Sequence, residues 1–147
     1  MAFAAAWQAR LVEGFPLLAA MGVTVHGDAD NWRLHAPFAL NRNDHGTAFG
    51  ASISSLATIA GWMAANALAQ RPVDVVIQRG DTAFLRPIAA DLQAWVIAPE
   101  ASQVERLQQT LQRKRPARIA LDVAVAATGS NEIAARFSGV YVAVVLG

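Results

Sequence analysis

Between Asp44 and Arg71 the chain carries no Asp, Glu, Lys or Arg. No other feature limits the fold as strongly, because a charge-free run of that length has to be buried somewhere. It is long enough to span a bilayer. However, Thr47, Ser52, Ser54, Ser55, Thr58 and Asn66 interrupt its hydropathy, and the pattern is a poor match to a membrane helix. Ile53, Leu56, Ala57, Ala60, Met63, Ala64, Ala67 and Leu68 recur instead at a helical period. The opposite side of that helix is small or neutral as well. The expectation is therefore a helix over residues 50–70 with nearly every face covered, which places it at the centre of a sheet.

The rest of the chain reads mostly as that sheet. Residues 22–27 and 31–38 are two beta-rich runs around the turn-forming DADN. Residues 73–85 and 92–99 form a second pair, joined by RPIAAD. Residues 117–128 alternate, with Ile119, Leu121, Val123 and Val125 on one side and Asp122 with small residues on the other. Gly129, Ser130 and Asn131 mark a hairpin turn before the last strand, 132–145. Phe3, Trp7 and Leu11 predict a helix over 3–13 that ends near Gly14 and Pro16. Residues 101–115 are polar and read as either a short helix or a mobile connection. The fold class expected is α+β: one long antiparallel sheet curled around one central helix.

The totals agree with a single domain over residues 1–147. A chain of that size buries roughly 70% of its unfolded surface and needs no disulfide or metal staple. It has no cysteine, which excludes disulfides and thiolate metal sites and fits a cytoplasmic setting. The start of the chain lacks a basic n-region and is broken by Gln8, Arg10 and Glu13, so it is a poor signal peptide. The formal charge is +1, which gives no field favouring nucleic acid. Charged residues make up 16%, against about 25% in an ordinary globular chain. Two readings of that apolar surplus stay open: surface hidden in a second copy of the chain, or an alanine-rich composition.

Directly before the charge-free run stands NRNDHGTAFGAS, residues 41–52, the densest polar cluster in the chain. Glycine and small residues at a helix start let a ligand approach the free backbone N–H groups. Those groups carry the positive end of the helix dipole. A group that gains negative charge at such a helix start is stabilised by those donors.

Two stretches carry a family resemblance. FLRPIAAD (84–91) resembles the strand-turn motif of hotdog-fold thioesterases. PFALNRNDHGTAFGAS (37–52) resembles the loop and helix start of the YiiD C-terminal-like thioesterases. The likeness extends to GFPLLAAMGVTV near the start and FSGVYVAVV near the end. It implies a hotdog fold, a homodimer or dimer of dimers, and an acyl-CoA or acyl-carrier thioester as substrate, with no cofactor beyond the coenzyme A of that substrate.

The resemblance also assigns roles. In hotdog thioesterases the glycine at the helix start polarises the thioester carbonyl, and each preorganised donor lowers the barrier to water attack by roughly 3–4 kcal/mol; Gly50 and Ala51 occupy the matching slots as candidate oxyanion donors. Aligning Phe49-Gly50-Ala51 with the His-Gly-Gly of phenylacetate-type hotdog thioesterases puts Thr58 where those enzymes carry a catalytic Asp. Threonine is no general base. The upstream Asn that often positions water matches Asn43. Candidates to replace the acid are His45, with Asp44 beside it, and Asp81, on the strand leading into FLRP, which in a hotdog fold runs past the partner's helix start. Asp44 also suits a turn or cap, His45 could equally anchor the loop, and Asp81 could simply pair with Arg79 or Arg86. Asn41, Thr47 and Thr58 are polar groups able to contact substrate, and Asn41 and Asn43 are equally able to tie down loop backbone.

A basic cluster, Arg106, Arg113, Lys114, Arg115 and Arg118, suits either the phosphates of coenzyme A or a solvated face. His26 and His35 lack companions at ligand spacing, so no metal is expected. The function expected is hydrolysis of an acyl thioester. The alternative is a non-catalytic acyl-binding or accessory module.

Overall fold

A computed structural model describes residues 2–147. Eleven elements follow one another. Helices α1 (Phe3–Gly14) and α2 (Pro16–Met21) precede the hairpin of β1 (Thr24–Gly27) and β2 (Trp32–Ala36). The short turn α3 (Phe38–Asn41) leads into the polar loop and then α4 (Gly50–Ala69). Strands β3 (Val73–Phe84) and β4 (Leu92–Ile97), helix α5 (Ala101–Gln112), and strands β5 (Ala117–Ala127) and β6 (Ala135–Val145) complete the chain. The six strands make one antiparallel sheet in the order β1-β2-β4-β5-β6-β3.

Helix α4 lies along the inner face of this sheet and touches β2, β3, β4, β5 and β6. Leu56, Ala57 and Ala60 are fully buried there, with Met63 nearly so. Burying a side chain the size of Leu56 contributes about 1.5–3 kcal/mol. Gly61 has a specific reason to be glycine. A β-carbon on it would lie 2.2 Å from the Tyr141 hydroxyl. That hydroxyl instead donates to the Thr58 carbonyl at 2.7 Å, and burial pushes its pKa up. The fold therefore pins the sheet to the helix at Thr58 through a missing side chain.

The sequence reading needs three adjustments. The polar residues 101–115 contain an ordered helix, because Glu100 and Gln103 form a reciprocal capping box and Leu107 and Leu111 are buried. Residues 16–21 form a second N-terminal helix, opened by Pro16 at its first turn and closed by Gly22 at φ 68°. Finally, α4 is not covered all round. Ala51 is exposed, and Gly50, Ser54, Ser55 and Thr58 are half-buried. A strip of the helix thus remains open between β3 and α2.

The two sheet edges differ. At β1, Gln8 of α1 accepts from the Val25 N–H and donates to the Val23 carbonyl, both at 2.8 Å, and so occupies the edge. At β3 the Val75 carbonyl accepts from Trp62 Nε1 at 2.9 Å, and beyond it no described side chain occupies the edge. That strand is exposed on nearly every residue from Val76 to Phe84.

Candidate functional site

The helix start is built from both stretches that the sequence singles out. The segment entering α4 is pinned twice: the Ala48 N–H donates to the Ile88 carbonyl and the Phe49 N–H to the Asn41 carbonyl, each at 2.7 Å. Helical bonding begins with Ser52 and Ile53, whose N–H groups share the Phe49 carbonyl. No side chain caps the helix. The N–H groups of Gly50 and Ala51 accordingly have no acceptor among the described residues. They are the unsatisfied donors every helix start leaves.

FLRPI closes around this point. The Leu85 and Arg86 N–H groups donate to the Ala134 carbonyl at 2.8 and 3.1 Å, which fixes the turn against the start of β6. Phe84 reaches across to Gly50, with ring carbons 3.4 and 3.5 Å from the place a β-carbon would occupy. Between them lies a cavity of about 430 Å³, whose lining includes Ala48, Gly50, Ile53, Phe84 and Arg86. Arg86 pairs with Glu132. Ser54 and Thr82 bond through their hydroxyls at 2.8 Å and tie α4 to β3 beside this cavity.

The loop residues divide by what already occupies them. Asn41 is 2% exposed. Its Nδ2 donates to the Met21 and Pro37 carbonyls at 2.9 and 2.8 Å, so it holds α2, α3 and the helix start together from inside the fold. Asn43 organises the tip. Its Oδ1 accepts from the His45 and Thr47 N–H groups at 3.1 and 3.0 Å, and its Nδ2 donates to Thr47 Oγ1 at 2.6 Å. Two backbone donors fix the amide orientation. One Nδ2 hydrogen is left for a ligand, whereas the acceptor is used. Thr47 is engaged by the same bonds.

His45 stands at the loop tip with its side chain 76% exposed and Nδ1 2.9 Å from Asp44 Oδ1. When Nδ1 carries the proton towards Asp44, Nε2 is free to accept one. Asp81 faces away from α4. It sits opposite Ser138, which sits opposite Asp122, on the exposed side of the sheet, while its neighbour Thr82 points to Ser54. Within one chain the structure does not bring Asp81 to Gly50.

Thr58 donates its hydroxyl to the Ser54 carbonyl at 2.7 Å. The sequence reading missed Phe84, Thr82 and the walls that α2 contributes. Strand alternation puts Thr82 and Phe84 on one face, and that signal was available; the approach of α2 to α4 had none.

With this geometry in view, the profile of the family described as "Putative thioesterase (yiiD_Cterm)" matches residues 4–145. The chain belongs to this YiiD C-terminal thioesterase family. The fold is the hotdog fold of its structural relatives. A "putative thioesterase" from Shewanella oneidensis is 26% identical, with a TM-score of 0.82 and 96% of each chain covered. A protein of unknown function from Chlorobaculum tepidum is 23% identical, with a TM-score of 0.87 over 97% of this chain and 94% of that one. A mutant of the phenylacetic acid degradation protein PaaI from Thermus thermophilus is 22% identical, with a TM-score of 0.60 over 86% and 97%. Among curated proteins none matches in sequence.

As in any member of the family, the shared architecture leaves the chemistry to particular side chains. Trp62 serves packing here: its Nε1 donates to the Val75 carbonyl at 2.9 Å, and its ring meets Trp7 and Phe15 edge-on. No described helix is long and apolar enough to cross a membrane.

Proposed function

We propose that the protein hydrolyses an acyl-CoA or acyl-carrier thioester at the start of α4, acting as a homodimer or dimer of dimers in the cytoplasm. The observation that carries this reading is the pair of unpartnered N–H groups at Gly50 and Ala51, opening on a cavity that FLRPI completes. The thioester oxygen accepts from these N–H groups. Water adds to the carbonyl carbon, and the oxygen becomes an oxyanion held by donors that need no rearrangement. Collapse breaks the carbon–sulfur bond and releases the thiol and the acid. Asn43 holds the water through its one free Nδ2 hydrogen. His45, oriented by Asp44, takes the proton at Nε2. Asp81 is assigned no step, because it lies on the far face of the sheet.

The open edge of β3 supports association. A long exposed edge with Val76, Ile77, Phe84 and Leu85 on it invites pairing with a second strand. In this reading a second copy pairs at β3, beside the open strip of α4, and one loop tip serves the other protomer's cleft. His45 stands at the exposed tip of the turn that the Arg42–Ala48 bridge closes and does not line its own Gly50 cavity.

One observation favours a second reading. No carboxylate or imidazole lines the Gly50 cavity in the single chain, and the Thr58 hydroxyl is committed. A module that binds acyl thioesters without turning them over fits those two facts. A thiol-release assay over short, long and aromatic acyl-CoAs separates the readings. Turnover supports the hydrolase, and saturable binding without thiol release selects the binding module. Light scattering that shows a stable monomer overturns the shared site in both.

A further inference from the structure

A second cavity of about 260 Å³ lies along the same open strip of α4. One wall is Ser54, Ser55, Thr58 and Ile59 of α4, and the other is Phe15, Leu17 and Leu18 at the start of α2. Two of its three hydroxyls are already used, Ser54 by Thr82 and Thr58 by the Ser54 carbonyl. Only Ser55 brings an uncommitted polar group. The cavity is therefore mainly an apolar site.

Its position suits the acyl end of a thioester. Ser54 and Ser55 follow Gly50 by about one helical turn, roughly 6–8 Å along the axis at 1.5 Å per residue. A carbonyl at the Gly50 and Ala51 N–H groups can send its acyl chain over the small side chain of Ala51 into this cavity.

The far wall is built to stay in place. Pro16 fixes the first turn of α2, Gly22 closes it in the left-handed conformation, and Leu18 is buried beneath. At about 30 Å³ for a group the size of a water or a methylene, about 260 Å³ accommodates about eight of them. That is below the range of pockets that take drug-sized ligands.

We infer that this cavity is the acyl subsite and that it limits the substrate to compact acyl groups, aliphatic chains up to about eight carbons or a single aromatic ring. The inference rests on the hydrolase reading for its orientation. Each methylene that enters an apolar site gains about fourfold in binding. Affinity therefore rises steeply with chain length until the cavity is full and then stops rising.

The test separates binding from turnover. Non-hydrolysable S-alkyl-CoA thioethers, from about two to about sixteen carbons, are titrated calorimetrically into the wild-type protein and into Leu17→Trp and Ser55→Phe, which fill the cavity from opposite walls. The expected result is a rise of about fourfold per methylene that breaks near about eight carbons, and a break shifted to shorter chains in both variants. Circular dichroism verifies that the variants fold. Leu17 is 61% exposed, so its substitution leaves the core intact. Affinity that is flat with length, that climbs to the longest chain, or that ignores both substitutions overturns the subsite. Thiol release from the matching acyl-CoAs is read separately. A break at eight carbons with no thiol released refutes the hydrolase and leaves the subsite standing. Hydrolysis with no break refutes the subsite alone.

Discussion

A single methyl group at position 50 distinguishes a glycine that serves a ligand from one that serves the fold. In Gly50→Ala the new β-carbon meets only the Phe84 ring, at 3.4 and 3.5 Å, which is ordinary van der Waals contact. The backbone there is helical and presents no conformational obstacle. Stability should therefore stay within about 0.5 kcal/mol of wild type, with a small gain possible because alanine favours helix over glycine by up to about 1 kcal/mol. The same methyl enters the cavity that Gly50 and Phe84 line, where the thioester oxygen sits in the proposed reaction. An oxygen held away from the 2.7–3.1 Å range of a donor loses that donor's help, which amounts to about 10²–10³ in kcat or roughly 3–4 kcal/mol. Gly50→Val, with a larger side chain, should lose at least as much. The assay pairs urea denaturation with thiol release on the best acyl-CoA. A kcat/KM within about threefold of wild type in both variants would refute the oxyanion assignment. A stability loss above about 1 kcal/mol would show instead that the glycine serves packing.

Three other outcomes test neighbouring parts of the argument. Gly61→Ala drives a β-carbon to within 2.2 Å of the Tyr141 hydroxyl and 2.5 Å of its ring, so urea denaturation should show a loss of about 2–4 kcal/mol. Adding Tyr141→Phe should restore little, because the ring carbons still collide. For Asn43, replacement by Asp keeps the acceptor for the His45 and Thr47 N–H groups and removes the Nδ2 donor, whereas replacement by Ala removes both. Asn43→Asp should melt close to wild type and lose turnover; turnover equal to wild type would confine Asn43 to holding the loop. His35 has its pKa lowered from 6.5 by burial, then by His26, whose ring stacks on it at 3.9 Å, and by Arg33, with Asp91 opposing. The folded state therefore resists a proton that the unfolded chain accepts. Stability is complete above pH 6.5 and falls as the pH drops from there towards the depressed folded value. His35→Gln should flatten that fall in denaturant titrations between about pH 7.5 and pH 5; an unchanged slope would place the acid sensitivity elsewhere.

The sequence is legible where its signal is local. The helical period of residues 50–70 and the alternation of 117–128 sit within a few residues of the observed α4 and β5. In α5 a high polar content masks a helical stripe of Val104, Leu107 and Leu111, and its order comes from the Glu100–Gln103 box and the two buried leucines. At the site, the sequence marks the glycine at the helix start and the FLRP turn. It does not show that they are one cavity, since their contact through Phe84 joins residues far apart in the chain. Nor does it rank the polar loop residues. Asn41, Asn43 and Thr47 look alike in sequence, yet Asn41 is buried and bonds to the Met21 and Pro37 carbonyls with its Oδ1 unpartnered, while Asn43 and Thr47 bond to each other and to the loop tip.

What the sequence determines alone is the part set by composition and period: a charge-free helix has to be enclosed, and alternating strands enclose it. Its motifs also name the family before any coordinate is known. Only the tertiary structure decides which side of a strand a residue faces relative to the helix, and that sends Thr82 to Ser54 and Asp81 to the outer face. Only the tertiary structure leaves a strip of α4 bare, caps the β1 edge with Gln8 and leaves the β3 edge open. The physical reason is the same in each case. Period is a property of neighbours along the chain, whereas a cavity, an edge or an unpartnered N–H group is defined by what distant segments cover and what they do not.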